Sequence, residues 1–162
     1  MAAAKILVVF YSRSGTTRTI AEALAAELKC DVEEIIATKD HAGLLGITRS
    51  LIEATRHRPA QIKPASRNPA SYDLVVIGTP VWAWSVSSPV RAYLMENAKR
   101  LPPVAFFCTF GNRGDNSTFA QMQELVGKAP RASVAFKMRD VVAGNFRPRL
   151  AEFAQALETS GS

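Results

Sequence analysis

The sequence predicts a three-layer α/β fold, a parallel sheet covered by helices on both faces. Three observations carry this expectation. The apolar runs at residues 5–10, 72–78 and 104–110 are nearly continuous, as strands buried on both faces require. Helical stripes alternate with them, such as Ile20, Ala21, Leu24, Ala25 and Leu28 after the first run. The first junction passes from strand to helix through a loop of hydroxyls around one glycine, Ser12-Arg13-Ser14-Gly15-Thr16-Thr17.

In chain order, a strand near residues 5–10 leads to a helix near 16–29 and a short, partly exposed strand at 31–36. Residues 37–70 are less regular. Leu44, Leu45, Ile47, Leu51 and Ile52 suggest a helix within 43–56, and Pro59, Pro64 and Pro69 mark a loop. After the strand at 72–78, Ser88-Pro89 reads as a cap with proline at the first helical position, and Val90, Tyr93, Leu94 and Ala98 form the inward stripe. After the strand at 104–110, Asn116 or Ser117 is the expected cap of a helix that buries Phe119, Met122 and Leu125. A basic strand at 132–137 follows. A last helix at 146–158 turns Phe146, Leu150, Phe153, Ala154 and Leu157 inward. The reading is one domain over residues 1–158 with a flexible tail at 159–162.

The chain has 162 residues, 48% apolar and 21% charged, which suits one soluble globular domain. No apolar run approaches the roughly 20 residues of a membrane span. The start Met1-Ala2-Ala3-Ala4-Lys5 lacks the pattern of a signal peptide, so a cytoplasmic location is expected. Cys30 and Cys108 form no C-x-x-C pair and are expected as free thiols, with Cys108 in the core. His41 and His57 have no ligand-like spacing with them, and no metal site is expected. The net charge of +6 can favour acidic partners. A mild basic cluster at Arg49, Arg56, His57, Arg58, Lys63 and Arg67 has no interleaved aromatics, so a solvated face is favoured over nucleic-acid binding.

A strand–loop–helix junction is an anion site, because the first turn of a helix has unpaired N–H groups and a partial positive charge. The loop adds four hydroxyls, and Gly15 allows close approach. A phosphate is the expected guest. The loop lacks the lysine of G-x-x-x-x-G-K-[ST] and the pattern G-x-G-x-x-G, which argues against a triphosphate or dinucleotide site. Neutral hydroxyls and N–H groups suit a single phosphate monoester. The same residues also fit an ordinary strand–helix turn with good caps.

Three segments together resemble the flavodoxin-like FMN-binding proteins. Phe10-Tyr11-Ser12-Arg13-Ser14-Gly15-Thr16-Thr17 is similar to their phosphate loop. Gly78-Thr79-Pro80-Val81-Trp82, with Ser-Pro-Val-Arg at 88–91, resembles their isoalloxazine loop. Phe106-Phe107-Cys108-Thr109-Phe110-Gly111 resembles their second flavin loop, although Asn112 and Arg113 stand where small residues are usual. The resemblance covers residues 5 to about 157. It implies a five-stranded parallel sheet of order 2-1-3-4-5, with ligand loops at the carboxyl ends of strands one, three and four. It also implies FMN as cofactor. Ser12, Arg13, Ser14, Gly15, Thr16 and Thr17 would hold the phosphate. Thr79, Pro80, Val81, Trp82, Ala83 and Trp84, with Thr109, Phe110, Gly111 and Asn112, would contact the ring.

An electron carrier with a protein redox partner, possibly acidic, is the first functional reading. An NAD(P)H-dependent quinone or related reductase, with a small electron acceptor, is the second. A cofactor-less interaction domain is the third, against which the intact hydroxyls argue. No residue is assigned a catalytic role, because FMN would carry the redox chemistry. The two tryptophans are read as flavin contacts or as covers of the sheet edge. On the first reading, Trp82→Ala would alter flavin potential more than stability.

Overall fold

The computed structural model describes residues 4–38 and 60–159. The expected helix within 43–56, both histidines and Arg49, Arg56 and Arg58 lie outside the described residues. Five parallel strands form the sheet: β1 (Ile6–Phe10), β2 (Asp31–Glu34), β3 (Leu74–Trp82), β5 (Val104–Phe110) and β6 (Ser133–Lys137). Their spatial order is β2-β1-β3-β5-β6, and the two-residue β4 (Ser85–Val86) pairs antiparallel with β3 alone. With β4 set aside, this is the expected 2-1-3-4-5 order. The helices are α1 (Thr16–Leu28), α2 (Ser88–Asn97), α3 (Asp115–Val126), α4 (Met138–Ala143) and α5 (Arg147–Thr159). No described helix is long and apolar enough to cross a membrane.

Alternation along the central strands divides the core in two. Ile6, Val8, Leu74, Val76, Ala105 and Phe107 face α1 and α5, where Ile20, Leu24, Phe153 and Leu157 meet them. Leu7, Val9, Val75, Ile77, Val104 and Phe106 face the opposite layer, where Val90, Tyr93 and Leu94 of α2 and Met122 and Val126 of α3 close it. Every residue of β1 and β5 is buried, which explains the unbroken apolar runs.

Several boundaries differ from the sequence reading, each for a local reason. β3 runs four residues past Gly78. Thr79 and Pro80 pair with Cys108 and Thr109 of β5, whereas β1 ends opposite Gly78. Pro80 therefore lies where no neighbour on the β1 side needs its missing N–H. α2 is capped by Ser87, and Ser88 is already helical. The cap shifts because the Ser87 N–H donates to the buried Thr79 hydroxyl at 3.1 Å. α3 starts at Asp115 behind Gly114, whose φ of +103° takes the cap position from Asn116 and Ser117. The stretch after β6 holds the short α4, which Gly144 ends in a left-handed conformation. Thr159, read as the start of the tail, is the last residue of α5, and residues 160–162 lie outside the description.

Gly78 is a packing requirement. A Cβ there would stand 2.0 Å from Phe107 Cζ, because the ring fills the space above the glycine. Gly78→Ala should lower the unfolding free energy in urea by about 1–3 kcal/mol, as overpacking does. Unchanged stability would mean that the ring moves aside freely.

Candidate cofactor site

Because the strands are parallel, their carboxyl ends share one edge of the sheet, and three segments meet there. The loop after β1 meets the β3–β4 hairpin through two ring contacts. The Arg13 guanidinium lies 5.0 Å over the Trp82 ring, and Tyr11 meets that indole edge-to-face at 5.6 Å. The start of α1 meets the end of β5 through the buried hydroxyls of Thr17 and Thr109, 2.7 Å apart. The hairpin meets the loop after β5 at Gly114. A Cβ on Gly114 would stand 2.7 Å from Trp84 Cα and 2.8 Å from Val81 Cγ1.

The first loop is built as a turn that opens toward solvent. The Gly15 N–H donates to Ser12 Oγ at 3.0 Å, and Ser14 Oγ and Thr16 Oγ1 are 3.5 Å apart. Gly15 has φ +100°, and no atom lies within 4 Å of where its Cβ would stand. Side chains reach no N–H of the first turn of α1 at the cap, which leaves those donors to a guest. Thr17 differs from its neighbours. Its hydroxyl is committed to Thr109, so it ties α1 to the sheet and leaves only its N–H for an anion.

The hairpin separates the two tryptophans. Trp82 and Ser85 pair, leaving Ala83 and Trp84 as a two-residue turn with φ of +48° and +61°. Positive φ at both positions is the type I′ pattern, normally filled by Asn-Gly. Left-handed conformation costs a non-glycine residue about 1–2 kcal/mol. Trp82 is 3% exposed and packs in the core, whereas Trp84 is 64% exposed. Tyr11 and Arg13 pack on this indole, an arrangement in keeping with the reading of Trp82 as a cover of the sheet edge. Trp84 borders a cleft of about 430 Å³ with Asn112, Arg113, Gly114 and Ser117. Thr79 is fully buried and committed to Ser87, so its side chain shapes the strand end rather than facing a guest. Pro80, Val81 and Ala83 are half-buried, Phe110 is buried, and Gly111 and Asn112 are exposed. A larger groove, about 510 Å³, runs between residues 132–134 and α5, and shares no residue with the three loops.

Sequence reasoning found α3 but missed its support of the hairpin. Ser117 Oγ donates to the carbonyls of Trp84 and Gly114, and Gln121 bonds Ser85, Val86 and Arg91. The i, i+4 spacing of Ser117 and Gln121 was a legible signal of a shared helix face. The thiols stand outside this chemistry. Burial pushes Cys30 up to about 11, with Asp31 adding to the effect, and burial likewise raises Cys108. Among the described residues no group of histidine, cysteine and carboxylate side chains could hold a metal.

A family model described as Flavodoxin matches residues 5–137. The chain belongs to the flavodoxin family. Solved structures agree with this. A Lactobacillus acidophilus flavoprotein in complex with FMN is 23% identical, with a TM-score of 0.67 over 87% of this chain and 98% of its own. A Bacteroides uniformis protein described as a candidate flavoprotein is 20% identical, with a TM-score of 0.75 over 95% and 99%. The two-electron reduced flavodoxin of Megasphaera elsdenii is 19% identical, with a TM-score of 0.60 over 95% and 98%. At these identities the likeness establishes the fold. No curated protein matches the chain. In this flavodoxin-family chain the three sequence motifs thus fall on one edge of one sheet.

The two tryptophans should separate in stability measurements on the apoprotein. Trp82→Ala is expected to cost about 3–5 kcal/mol, the usual penalty for emptying a core aromatic site. Trp84→Ala should stay within about 0.5 kcal/mol of the parent, as exposed substitutions do. Equal losses would contradict the division into core and rim.

Proposed function

We propose that the chain binds FMN at the carboxyl edge of its sheet and acts in electron transfer. The observation that carries this reading is the convergence of an open hydroxyl-and-glycine turn at α1 with an exposed indole, Trp84, on the hairpin beside it. Family membership and the FMN complex of the Lactobacillus acidophilus relative support it. FMN, when bound, supplies the one- and two-electron chemistry.

The residues fit such a guest. Ser12, Ser14 and Thr16 offer hydroxyls, and Thr16 and Thr17 offer N–H groups at the positive end of α1, for a phosphate monoester. Arg13 closes the turn against Trp82 and adds positive charge beside it. Pro80, Val81 and Ala83 present backbone and small apolar surface to a ring. Trp84 offers a face for stacking. Gly111 and Asn112 form the opposite lip, where no Cβ contact restricts Gly111. Thr17, Thr79, Trp82, Thr109 and Phe110 hold these pieces in place from the buried side.

The electron-carrier reading calls for a protein partner, and the net charge of +6 favours an acidic one in a cytoplasmic setting. The reductase reading is favoured by one observation, the open cleft beside Trp84, which leaves room for a nicotinamide or a small acceptor.

Titration of the apoprotein with FMN should quench flavin fluorescence with saturation. Gly15→Asp should weaken binding about a hundredfold or more, since a carboxylate would face the phosphate. Unchanged affinity would remove the phosphate from this turn. Stopped-flow mixing of the FMN-loaded protein with NADH or NADPH separates the two roles. Rapid bleaching supports the reductase. Reduction only by a partner reductase supports the carrier.

A further inference from the structure

The Ala83 and Trp84 turn is strained, and its own residues do not supply what holds it. Neither is glycine, and both have positive φ. Type I′ turns keep their shape without help when Asn-Gly fills them, because those residues enter the left-handed region at little cost. β4 has only two residues, and it pairs with β3 alone. So short a ladder is a weak support for a strained turn.

The support comes from α3. Gln121 Oε1 accepts the Val86 N–H at 3.2 Å and the Arg91 Nη2–H at 2.8 Å. Gln121 Nε2 donates to Ser85 Oγ at 3.2 Å. One carboxamide thus holds the backbone of β4, a side chain of β4 and a cation of α2. Arg91 is 7% exposed, and its Nε–H has no acceptor among the described residues. That buried guanidinium fixes the orientation of the Gln121 amide, since only the oxygen can accept from it. One turn earlier, Ser117 Oγ donates to the Trp84 carbonyl.

We infer that Gln121 is the positioning residue of the candidate site, the group that keeps the hairpin folded back on α3 and Trp84 presented at the cleft. The consequence for FMN rests on the function proposed above. The consequence for the hairpin does not.

Gln121→Ala in the apoprotein should raise the exchange rate of the Val86 amide about tenfold or more, while the amides of β1 and β5 keep their protection. Order parameters of the Ala83 and Trp84 amides should fall toward the flexible range, below about 0.6. Gln121→Glu should restore both, because a carboxylate still accepts from Val86 and Arg91. FMN affinity should fall about tenfold in Gln121→Ala, the scale of one lost hydrogen bond, and recover in Gln121→Glu. Unchanged Val86 exchange, or faster exchange spread evenly over the whole sheet, would overturn the inference. So would a loosened hairpin that binds FMN as tightly as the parent. If the parent itself takes up no FMN, the proposed function fails, and the exchange measurement still decides the role of Gln121.

Discussion

Everything at the ligand edge depends on burying β1, β3 and β5 on both faces. A strand covered on two sides cannot carry polar side chains along its length, so its chemistry is displaced to its ends. Parallel direction puts those ends on one edge, and the crossover helices start there. The first-turn N–H groups of α1 and α3 therefore face the same rim as the glycines of the loops. This arrangement follows from the sheet before any ligand is considered. It explains why residues as far apart as Thr17 and Thr109 meet through a 2.7 Å hydroxyl pair.

The rim itself is built from compromises that the core can sustain. Left-handed backbone at Ala83 and Trp84 costs free energy that a glycine would avoid. The hydrogen bonds from Ser117 and Gln121 offset it, and they do so from a helix whose other face is anchored by Met122 and Val126. Arg91 is half of the same compromise, a buried cation with a carboxamide as its acceptor in place of a carboxylate. Such a group is costly unless its surroundings are fixed. Here the surroundings are α2 and α3, both packed on the central strands.

The sequence was most legible where one physical rule dominated. Continuous apolar runs located β1 and β5, and helical stripes located α1 and α5, to within a residue or two. Legibility failed where tertiary partners decided the outcome. Residues 79–82 read as a loop after Gly78, yet β5 extends alongside and recruits Thr79 and Pro80. The caps at Ser88 and at Asn116 or Ser117 were misplaced by one to three residues, because Thr79 claims Ser87 and Gly114 takes the left-handed position. The tryptophans looked equivalent in sequence. Only the hairpin, which points consecutive residues differently through a two-residue turn, sends Trp82 inward and leaves Trp84 out.

The charge of the first loop can be argued one step further. A phosphate monoester carries up to two negative charges, yet the described turn offers one arginine, and that guanidinium lies over the Trp82 ring. Stacking on an indole does not remove the charge, but it fixes where the charge can act. Arg13 thus serves two demands at once. It closes the first loop on the hairpin, and on the function proposed above it would place a cation beside the phosphate without filling the space above Gly15. On that proposal the remaining stabilisation would fall to the α1 N–H groups and the hydroxyls of Ser12, Ser14 and Thr16. The N–H groups are held by the helix backbone, so on the function proposed above they would need little reorganisation when an anion arrives. A turn of this kind can anchor a phosphate firmly without a metal or a lysine, because the helix and loop donors are numerous and already oriented.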